Sequence, residues 1–279
     1  KRVDTLRNIY EEDTSTMYPI RFFVRGDKYS FLGFETDIRL FGVDAPGKIY
    51  LFGADRYGRD IFSRLAYGGR RSLFIGIIGL VISLSIGLIY GGVSGYFGGW
   101  VDNLMMRIAE IIISIPSFYL LLALSAVLPT NIPPDQRFML IVAILGFIGW
   151  AGLARVIRGM VLSIAKSEFV AGAEAIGASQ PRIIIRHILP NTMSYVIVNA
   201  TLSIPGFILS ESGLSFIGVG IQHPVASWGN MLSEALNLSS LTRYPWLLVP
   251  GFFIFITVLS YSFFGDGVRD ALDPRSRTV

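Results

Sequence analysis

The side chains best able to do chemistry in this chain are a few carboxylates and histidines. Glu110 lies one helical turn from Arg107, the spacing of an ion pair on a helix surface, so a structural role is predicted for it. Glu211 lies in Ser210-Glu211-Ser212-Gly213 within an apolar stretch, and two roles stay open for it: lining a pathway or capping a broken helix. The two histidines are His187 and His223. Any chemistry must be built from these few groups.

The motifs of common enzymes do not occur in the sequence. No G-x-x-x-x-G-K-[ST] loop is present to hold nucleotide phosphates, and no G-x-S-x-G elbow is present to hold a nucleophile. Gly218-Val219-Gly220 lacks the third glycine of a dinucleotide fingerprint. The absence of cysteine excludes disulfides and thiolate metal sites. We therefore expect a non-catalytic chain that binds no cofactor of its own.

The composition places the chain in a membrane. Of its 279 residues 52% are hydrophobic and 16% are charged, whereas about 25% of the residues in an ordinary soluble domain are charged. The mean hydropathy is +0.56. A net charge of +4 and a pI near 9.4 fit the excess of Lys and Arg on the cytoplasmic side of membrane proteins better than nucleic-acid binding.

Five apolar stretches are long enough to cross a bilayer as helices, which takes about 20 residues. They are Ser72–Tyr96, Leu104–Leu128, Phe138–Val156, Met193–Leu214 and Trp246–Phe264. Pro205 is expected to interrupt the fourth stretch. Glycine repeats predict tight helix packing in the first and third stretches, at Gly87, Gly91, Gly95, Gly146, Gly149 and Gly152. The predicted fold is an all-α polytopic membrane protein.

Basic residues in the short loops predict the orientation of these spans. Two segments are rich in them, the linker between the third and fourth spans and the C-terminal tail, with Arg155, Arg158, Lys166, Arg182 and Arg186 in the first and Arg269, Arg275 and Arg277 in the second. Both segments are therefore predicted to be cytoplasmic. This topology puts His187 and His223 on opposite sides of the membrane, so they cannot share a metal ion.

Residues 1–71 hold no spanning segment and are predicted to be an extracytoplasmic lead-in of short mixed elements, with a flexible loop as the alternative. Alternating apolar residues predict strands in Tyr18–Val24 and Ile49–Phe52, with turns at Arg25-Gly26-Asp27 and Pro46-Gly47. Five spans that end inside must begin outside. A further membrane helix is therefore expected before Lys1 in the natural protein.

The cytoplasmic loop 157–191 contains the pattern of a compact helix-turn-helix. Its first half is rich in helix formers and has one apolar face, made by Phe169, Val170, Ala173 and Ile176. The first helix should end at Gly177, and a second should begin at Pro181. Such an element can dock in a groove of a soluble partner with its apolar face, and lying on the lipid surface is the alternative.

This loop resembles the EAA loop of ABC-importer permeases, whose consensus is E-A-A, three residues, G, nine residues and I-x-L-P. The resemblance lies in GAEAIG at 172–177 and RHILPN at 186–191. Gly177, Leu189 and Pro190 keep the consensus spacing. The sequence departs from the consensus at Ala171, Gly172 and His187.

Three further segments resemble the C-type permease of the dipeptide/oligopeptide/nickel ABC importer family. They are FGADRYGRDIFSR at 52–64, LSFIGVG at 214–220 with SWG at 227–229, and GDGVRDALDPR at 265–275. The resemblance implies a type I ABC importer transmembrane domain at 72–266, which includes the coupling loop 157–191, and a cytoplasmic tail at 267–279. It also implies six spans with both termini inside.

The resemblance implies a permease subunit that moves dipeptides or oligopeptides across the cytoplasmic (inner) membrane of a prokaryote. The implied partners are a homologous second permease, two ATP-binding subunits that carry ATP and Mg, an extracytoplasmic substrate-binding protein and the lipid bilayer, without nucleic acid. The implied ATPase-coupling residues are Glu168, Ala171, Gly172, Ala173, Glu174, Gly177, Leu189 and Pro190. Candidates for the pathway or gate are Glu211, Ser212 and Phe216.

Other functions stay open beside this one. Oligosaccharides and nickel chelates are alternative substrates of the same importer class. A secondary transporter is the rival from another class, but it would show an internal repeat and a charged or broken-helix site at mid-membrane. We find no repeat, and the cytoplasmic loop has no purpose in such a protein.

Overall fold

A computed structural model of the protein describes residues 2–4, 7–8, 15–31, 34–44, 46–129 and 131–272. The chain divides into two compact units, Lys1–Leu51 and Phe52–Val279. This boundary precedes the one expected after Arg71, because Phe52 and Ile61 already pack into a core with Ile254 near the C-terminus. The C-terminal tail was predicted to be 267–279 and cytoplasmic, and its residues 273–279 lie outside the described residues.

The first unit contains two antiparallel pairs of strands. β1 (Arg2–Asp4) pairs with β2 (Arg7–Asn8), and β3 (Arg21–Phe31) pairs with β4 (Phe34–Gly42). The turn expected at Arg25-Gly26-Asp27 is wrong, since these residues lie inside β3, where the register shifts as in a β-bulge. The turn at Pro46-Gly47 is confirmed by a hydrogen bond from the Gly47 N–H to the Asp44 carbonyl, 3.0 Å. Ile49–Phe52 forms no strand.

The second unit is helical. Its helices are α1 (Ile61–Phe97), α2 (Gly99–Ser114), α3 (Ser117–Val127), α4 (Pro134–Ile164), α5 (Glu168–Ala175), α6 (Gln180–Arg182), α7 (Met193–Phe216), α8 (Trp228–Ser233), α9 (Leu238–Arg243) and α10 (Val249–Leu272). The π-helical Ile183–Ile188 and the 3₁₀ Leu189–Thr192 join α6 to α7, and further 3₁₀ turns are Glu234–Leu236 and Pro245–Leu248.

Four helical stretches of the described chain are long and apolar enough to cross a membrane: Ile61–Phe97, Pro134–Ile164, Gln180–Phe216 and Pro245–Leu272. A fifth span is present if the bent pair α2 and α3 counts as one. The five stretches predicted from hydropathy fall within these elements, but the helices run beyond most of the predicted ends.

Two prolines act differently from the sequence-based expectation. The stretch Leu104–Leu128 was expected to be one helix, but it is two, bent by 84° at Ile115 and Pro116. Pro116 disfavours helix at the residue before it and donates no backbone hydrogen bond. The expected interruption at Pro205 is wrong, because α7 continues through this buried residue. Neighbouring helices allow a proline inside a membrane helix.

Glycines bring α1 and α4 into contact, as the repeat Gly87, Gly91 and Gly95 predicts. A Cβ at Gly91 would lie 2.5 Å from the Ala154 carbonyl oxygen, and one at Gly95 would lie 2.7 Å from the Arg158 carbonyl oxygen. In α4, Gly146 packs on Ile82 and Gly149 packs on Ser83 and Phe207 in the same way. Gly152 is the exception, because a Cβ there would have no atom within 4 Å.

A partly buried ion pair links α1, α2 and α4 near the C-terminal end of α1. Asp102 of α2 accepts hydrogen bonds from Ser94 Oγ of α1, 2.5 Å, and from Arg158 Nε of α4, 2.9 Å. The tight link between α1 and α2 uses positive φ angles at Gly98 and Gly99, +61° and +55°. The ion pair predicted for Arg107 and Glu110 also forms, at 3.1 Å on an exposed surface.

We predict that Gly91→Ala destabilises the protein by about 1–3 kcal/mol, because the added methyl group meets the α4 backbone. The measurement is the temperature at which half of the detergent-solubilised protein leaves the folded peak in size-exclusion chromatography. Gly159→Ala is the matched control, since a Cβ at this position has no atom within 4 Å. Equal thermal stability of the two variants would contradict the prediction.

Candidate functional site

The helix α5 of the predicted coupling loop has a well-defined end. Gly177 follows it with a φ of +79°, a conformation that favours glycine. The Gly177 N–H donates to the Glu174 carbonyl, 2.9 Å, and the Ala178 N–H donates to the Ala173 carbonyl, 3.1 Å. These two bonds form a Schellman motif. The predicted helix end at Gly177 and the second helical start at Pro181 are both confirmed.

The four apolar residues expected on one face of α5 divide into two pairs. Val170 and Ala173 are buried with Ile157 of α4 and Ile184 of the π-helical segment. Phe169 and Ile176 are exposed, at 48% and 86%. We call the outward-facing set the α5 surface, which comprises Glu168, Phe169, Ala171, Gly172, Ala175 and Ile176. Two large apolar side chains therefore flank small residues on a surface free of this chain's own core.

The remaining residues of the EAA-like loop face different surroundings. Glu174 accepts a hydrogen bond from the Tyr96 hydroxyl at the end of α1, 2.8 Å. Leu189 is buried and lies against Gly92 of α1, whereas Pro190 is exposed. Residues predicted from the motif alone thus lie around one end of α1 and α4. The coupling role of each of them stays a prediction.

An open groove of about 400 Å³ lies on another face of the helices and is lined by α1, α3, α4 and α7. Its polar lining residues are Ser83, Ser117, Asn199, Ser203 and Ser210, and its glycines are Gly149, Gly152 and Gly206. Ser83 and Gly149 lie close to the middle of α1 and α4, and Asn199 lies close to the middle of the helical stretch Gln180–Phe216. None of its lining residues is charged.

The serine hydroxyl groups of α7 that line this groove can accept hydrogen bonds. Ser203 Oγ donates to the Asn199 carbonyl and Ser210 Oγ donates to the Gly206 carbonyl, each at 2.7 Å. Because these bonds use the single hydroxyl hydrogen, the oxygen lone pairs stay available as acceptors. Gly206 adds open space, since a Cβ there would have no atom within 4 Å. The groove can therefore accept and donate weak polar contacts without offering a charge.

Glu211 lies beside the groove but not in its lining. It is fully buried, and it accepts a hydrogen bond from Ser215 Oγ, 2.6 Å, with Ser72 Oγ at 3.5 Å. Ser72 in turn accepts from the Trp228 N–H, 3.2 Å. Glu211 thus joins α1, α7 and the start of α8. It does not cap a broken helix, because α7 is continuous to Phe216.

The other two gate candidates also lie outside the groove lining. Ser212 is 6% exposed and packs on Gly229, and Phe216 is half-buried at the end of α7. A role for Glu211, Ser212 and Phe216 in the pathway or gate stays a prediction.

Most of the helical part described above corresponds to a known family. Residues 72–278 match the family described as "Binding-protein-dependent transport system inner membrane component". This chain belongs to that family. It is a multi-pass, non-catalytic component of the inner membrane, and the matched region includes the groove and the α5 surface. The resemblance stated from the sequence motifs is confirmed.

Relatives of the permease come from peptide transport systems. It is 46% identical to the oligopeptide transport system permease protein OppC of Haemophilus influenzae, over 82% of this chain and 71% of that protein. It is 42% identical to OppC of Escherichia coli K12, over 82% and 73%. It is also 42% identical to the dipeptide transport system permease protein DppC of Bacillus subtilis, over 83% and 71%.

Solved structures of importers share the fold of the permease. A chain of the MetNI methionine ABC transporter in inward-facing conformations superposes with a TM-score of 0.54, at 21% identity, over 76% of this chain and 98% of that chain. An amino acid ABC transporter with histidines superposes with a TM-score of 0.53, at 16% identity, over 75% and 94%. The permease is therefore similar in fold to the transmembrane parts of ABC importers.

A second set of polar residues lies at the α1 N-terminus of the permease, and we call it the Asp55 cluster: Asp55, Arg59, Arg64, His223 and Glu234. Asp55 Oδ2 lies 2.6 Å from Arg59 Nε and 3.0 Å from Arg64 Nη1. Glu234 Oε1 lies 3.1 Å from Arg59 Nη2. The segment 52–64, singled out from its resemblance alone, therefore binds the loop that follows α7. Among the described residues no group of three or more His, Cys, Asp or Glu could hold a metal ion.

The protonation of His223 follows from its partners. Arg59 Nη1 lies 3.4 Å from His223 Nδ1, and because a guanidinium only donates, Nδ1 must be the acceptor. The ring hydrogen is thereby assigned to Nε2, which lies 3.8 Å from Glu234 Oε1. Burial lowers the pKa of His223, and the charges of Arg59 and Arg64 lower it further against the opposing effect of Asp55. Burial raises the pKa of Glu234, with a smaller contribution from Asp55.

The groove residues of α7 and the buried Arg137 were not predicted from the sequence. Asn199, Ser203, Gly206 and Ser210 recur at helical spacing, and this polar stripe in an apolar helix was the available signal. Arg137 is 7% exposed and donates at 3.3 Å to the carbonyls of Pro129, Val219 and Gly220. Its place between two loops depends on tertiary structure, which no local pattern reports.

We predict that His223→Gln reduces the loss of thermal stability on acidification. A lowered folded-state pKa means that the unfolded chain binds the proton more tightly, so His223 costs the folded state stability as pH falls below 6.5. Glu234 acts in the opposite sense, because its pKa is raised. The measurement compares melting temperatures of wild type and variant at about pH 7.5 and about pH 5.5. An identical pH response in both proteins would contradict the prediction.

Proposed function

We propose that this chain is the permease subunit through which an ATP-driven importer moves dipeptides and oligopeptides across the inner membrane. The observation that carries the proposal is the 42–46% identity to oligopeptide and dipeptide permeases over more than four fifths of the chain. This identity extends through the membrane helices, where substrate must pass. Oligosaccharides and nickel chelates are the alternative cargoes.

The α5 surface is the proposed docking site for the ATP-binding subunits, which carry ATP and Mg. Ile176, 86% exposed, and Phe169 can enter a groove of a soluble partner, while the small Ala171 and Gly172 let the partner backbone approach. Two such subunits would bind beneath two homologous permeases. Glu174, which is bonded to Tyr96, and the buried Leu189 then position α5, while Glu168 belongs to the docking surface.

The groove is the proposed wall of the substrate path. Peptides of different sequence share only their backbone amides and termini, so a lining of hydroxyl, amide and glycine groups accommodates many of them. The same lining offers no charged or imidazole group to hold a nickel chelate. An extracytoplasmic binding protein would supply most of the selectivity, and the second permease would cover the open side.

Movement of α5 has a physical route into the membrane. α5 packs on α4 through Val170 and Ala173, and it is hydrogen bonded to α1 through Glu174 and Tyr96. Closure of the ATP-binding subunits would therefore move these helices as a body, the kind of switch that alternating access requires.

The proposed topology places the α1 N-terminus outside and α5 and the end of α10 in the cytoplasm. It assigns residues 1–51 to an extracytoplasmic position. It fits the short-loop charge pattern of the sequence.

We predict that Ile176→Asp abolishes capture of the ATP-binding subunits, because a charge replaces an exposed apolar side chain at the proposed interface. The measurement is the amount of ATP-binding subunit that copurifies with tagged permease from native membranes. Leu238→Asp is the matched control, since Leu238 is 75% exposed in the loop region between α7 and α10. Normal capture by Ile176→Asp would contradict the docking role of α5.

The test of the proposed function is ATP-dependent uptake of a labelled peptide into proteoliposomes that hold the complete importer. We predict that Gly206→Leu lowers uptake at least tenfold, because the side chain fills groove space that is open at Gly206. Gly206→Ala is the control at the same position, because it adds only one methyl group, and it should retain most uptake. Absence of peptide uptake by the wild type would overturn the proposed substrate. Normal uptake by Gly206→Leu would overturn only the path.

A further inference from the structure

A small, partly open cavity adjoins the Asp55 cluster. The volume open to the centre of a water-sized sphere is about 10 Å³, which is close to the least that one water molecule requires. Asp55, Arg64 and Glu234 form its polar wall, and Ile61 and Leu247 are among the apolar residues that line it. The cavity is therefore lined by both charged and apolar side chains.

Two atoms in this wall have no hydrogen-bond partner among the described residues. They are Arg64 Nη2, a donor, and Glu234 Oε2, an acceptor, and both are shielded from solvent. Their side chains are otherwise engaged, since Arg64 Nη1 binds Asp55 at 3.0 Å and Glu234 Oε1 binds Arg59 at 3.1 Å. Buried polar atoms are almost always paired with protein or ordered water. A single group that both accepts and donates a hydrogen bond would satisfy the two atoms together.

Water has this pair of properties, and an ion does not. A water oxygen accepts from a guanidinium while one of its hydrogens donates to a carboxylate. The two carboxylates of the cluster, Asp55 and Glu234, are balanced by the guanidinium groups of Arg59 and Arg64. The positive charge of Arg56 also acts on Glu234, so the surroundings do not favour a cation, and the carboxylates of the wall do not favour an anion.

The Asp55 cluster has mechanical importance because it joins two distant segments. Arg59 precedes α1, and Glu234 follows α8. Nearby, Trp228 Nε1 donates to the Leu65 carbonyl at 3.0 Å, and the Trp228 N–H donates to Ser72 Oγ at 3.2 Å. The loop 217–236 is thus attached to α1 at several points. Arg64 and Glu234 line the same cavity, but Arg64 Nη2 and Glu234 Oε2 have no hydrogen-bond partner among the described residues.

We propose that one ordered water binds between Arg64 Nη2 and Glu234 Oε2 and that the completed Asp55 cluster positions loop 217–236 for receipt of substrate. The positioning role rests on the proposed function, since it places this loop on the side where a binding protein delivers peptide. The water site itself does not depend on it. Arg64 and Glu234 are positioning residues, which act through the loop and touch no substrate.

The first test is a structure of the complete importer at a resolution that shows ordered water. We expect a single density peak within hydrogen-bonding distance of Arg64 Nη2 and Glu234 Oε2. An empty cavity, a direct bond between these two atoms, or a peak with the ligand number of a metal ion would each overturn the water site.

The second test measures peptide uptake as a function of the concentration of peptide-loaded binding protein, normalised to assembled importer. Glu234→Leu removes the acceptor and should raise KM by about tenfold with a smaller effect on kcat. Glu234→Gln keeps an acceptor oxygen and should recover most of the wild-type KM. Asp135→Leu is the surface control, because the Asp135 side chain is 86% exposed.

The outcomes separate the two proposals. An unchanged KM in Glu234→Leu, or a uniform fall in kcat without a change in KM, would overturn the positioning role while peptide uptake by wild type still supports the permease function. If Glu234→Leu does not assemble into the importer, the KM of Glu234→Gln decides the outcome. A KM raised by about tenfold over wild type in Glu234→Gln would overturn the role of the water. Absence of uptake by the wild type would instead reject the proposed function.

Discussion

The close contact of α1 with α4 is the constraint on which the helical unit depends. In a bilayer, apolar side chains gain little by leaving lipid for protein, so helices associate through van der Waals contact and polar links. Gly87, Gly91 and Gly95 permit that contact because they remove side chains where the α4 backbone passes. The contact by itself does not fix how far the helices slide along each other. Asp102, paired with Arg158 and Ser94, supplies this register at one end.

The same pair of helices also connects the two proposed functional surfaces. Gly149 packs on Ser83 and Phe207, while Gly152, one turn further along α4, opens into the groove. Beyond the membrane part, α4 carries the apolar patch that receives Val170 and Ala173 of α5. In the proposed coupling, a displacement of α5 would reach the groove through one packed helix, α4. The Schellman end at Gly177 helps by fixing where α5 stops.

Hydropathy was sufficient to locate the spans because lipid requires long apolar helices, but it could not give their ends or bends. α1 begins at Ile61, so it already includes the charged Arg64, Arg70 and Arg71 before the apolar stretch. It can begin there because Asp60 caps it and an outer turn need not be apolar. The bend at Pro116 was missed since both sides of it are equally apolar.

The apolar face of α5 was assigned as one surface because periodicity groups residues by direction. It does not tell which of them meet this chain and which meet a partner. The groove was missed because glycine and serine in a span fit packing and pathway equally well.

If the groove is the substrate path, as proposed, the distribution of charge implies that it cannot work in a single chain. A peptide carries an ammonium and a carboxylate group, and transfer of an unpaired charge from water into an apolar medium costs many kcal/mol. The groove contributes hydroxyl and amide groups but no counter-charge, and one side of it is open. If that side faced lipid, the substrate termini would lose hydration without compensation. A second polar wall, or water held between two walls, would keep the termini solvated during passage. The pairing of two permeases is on this argument an energetic requirement of the path, and the glycine-lined contact of α1 with α4 supplies only one half of it.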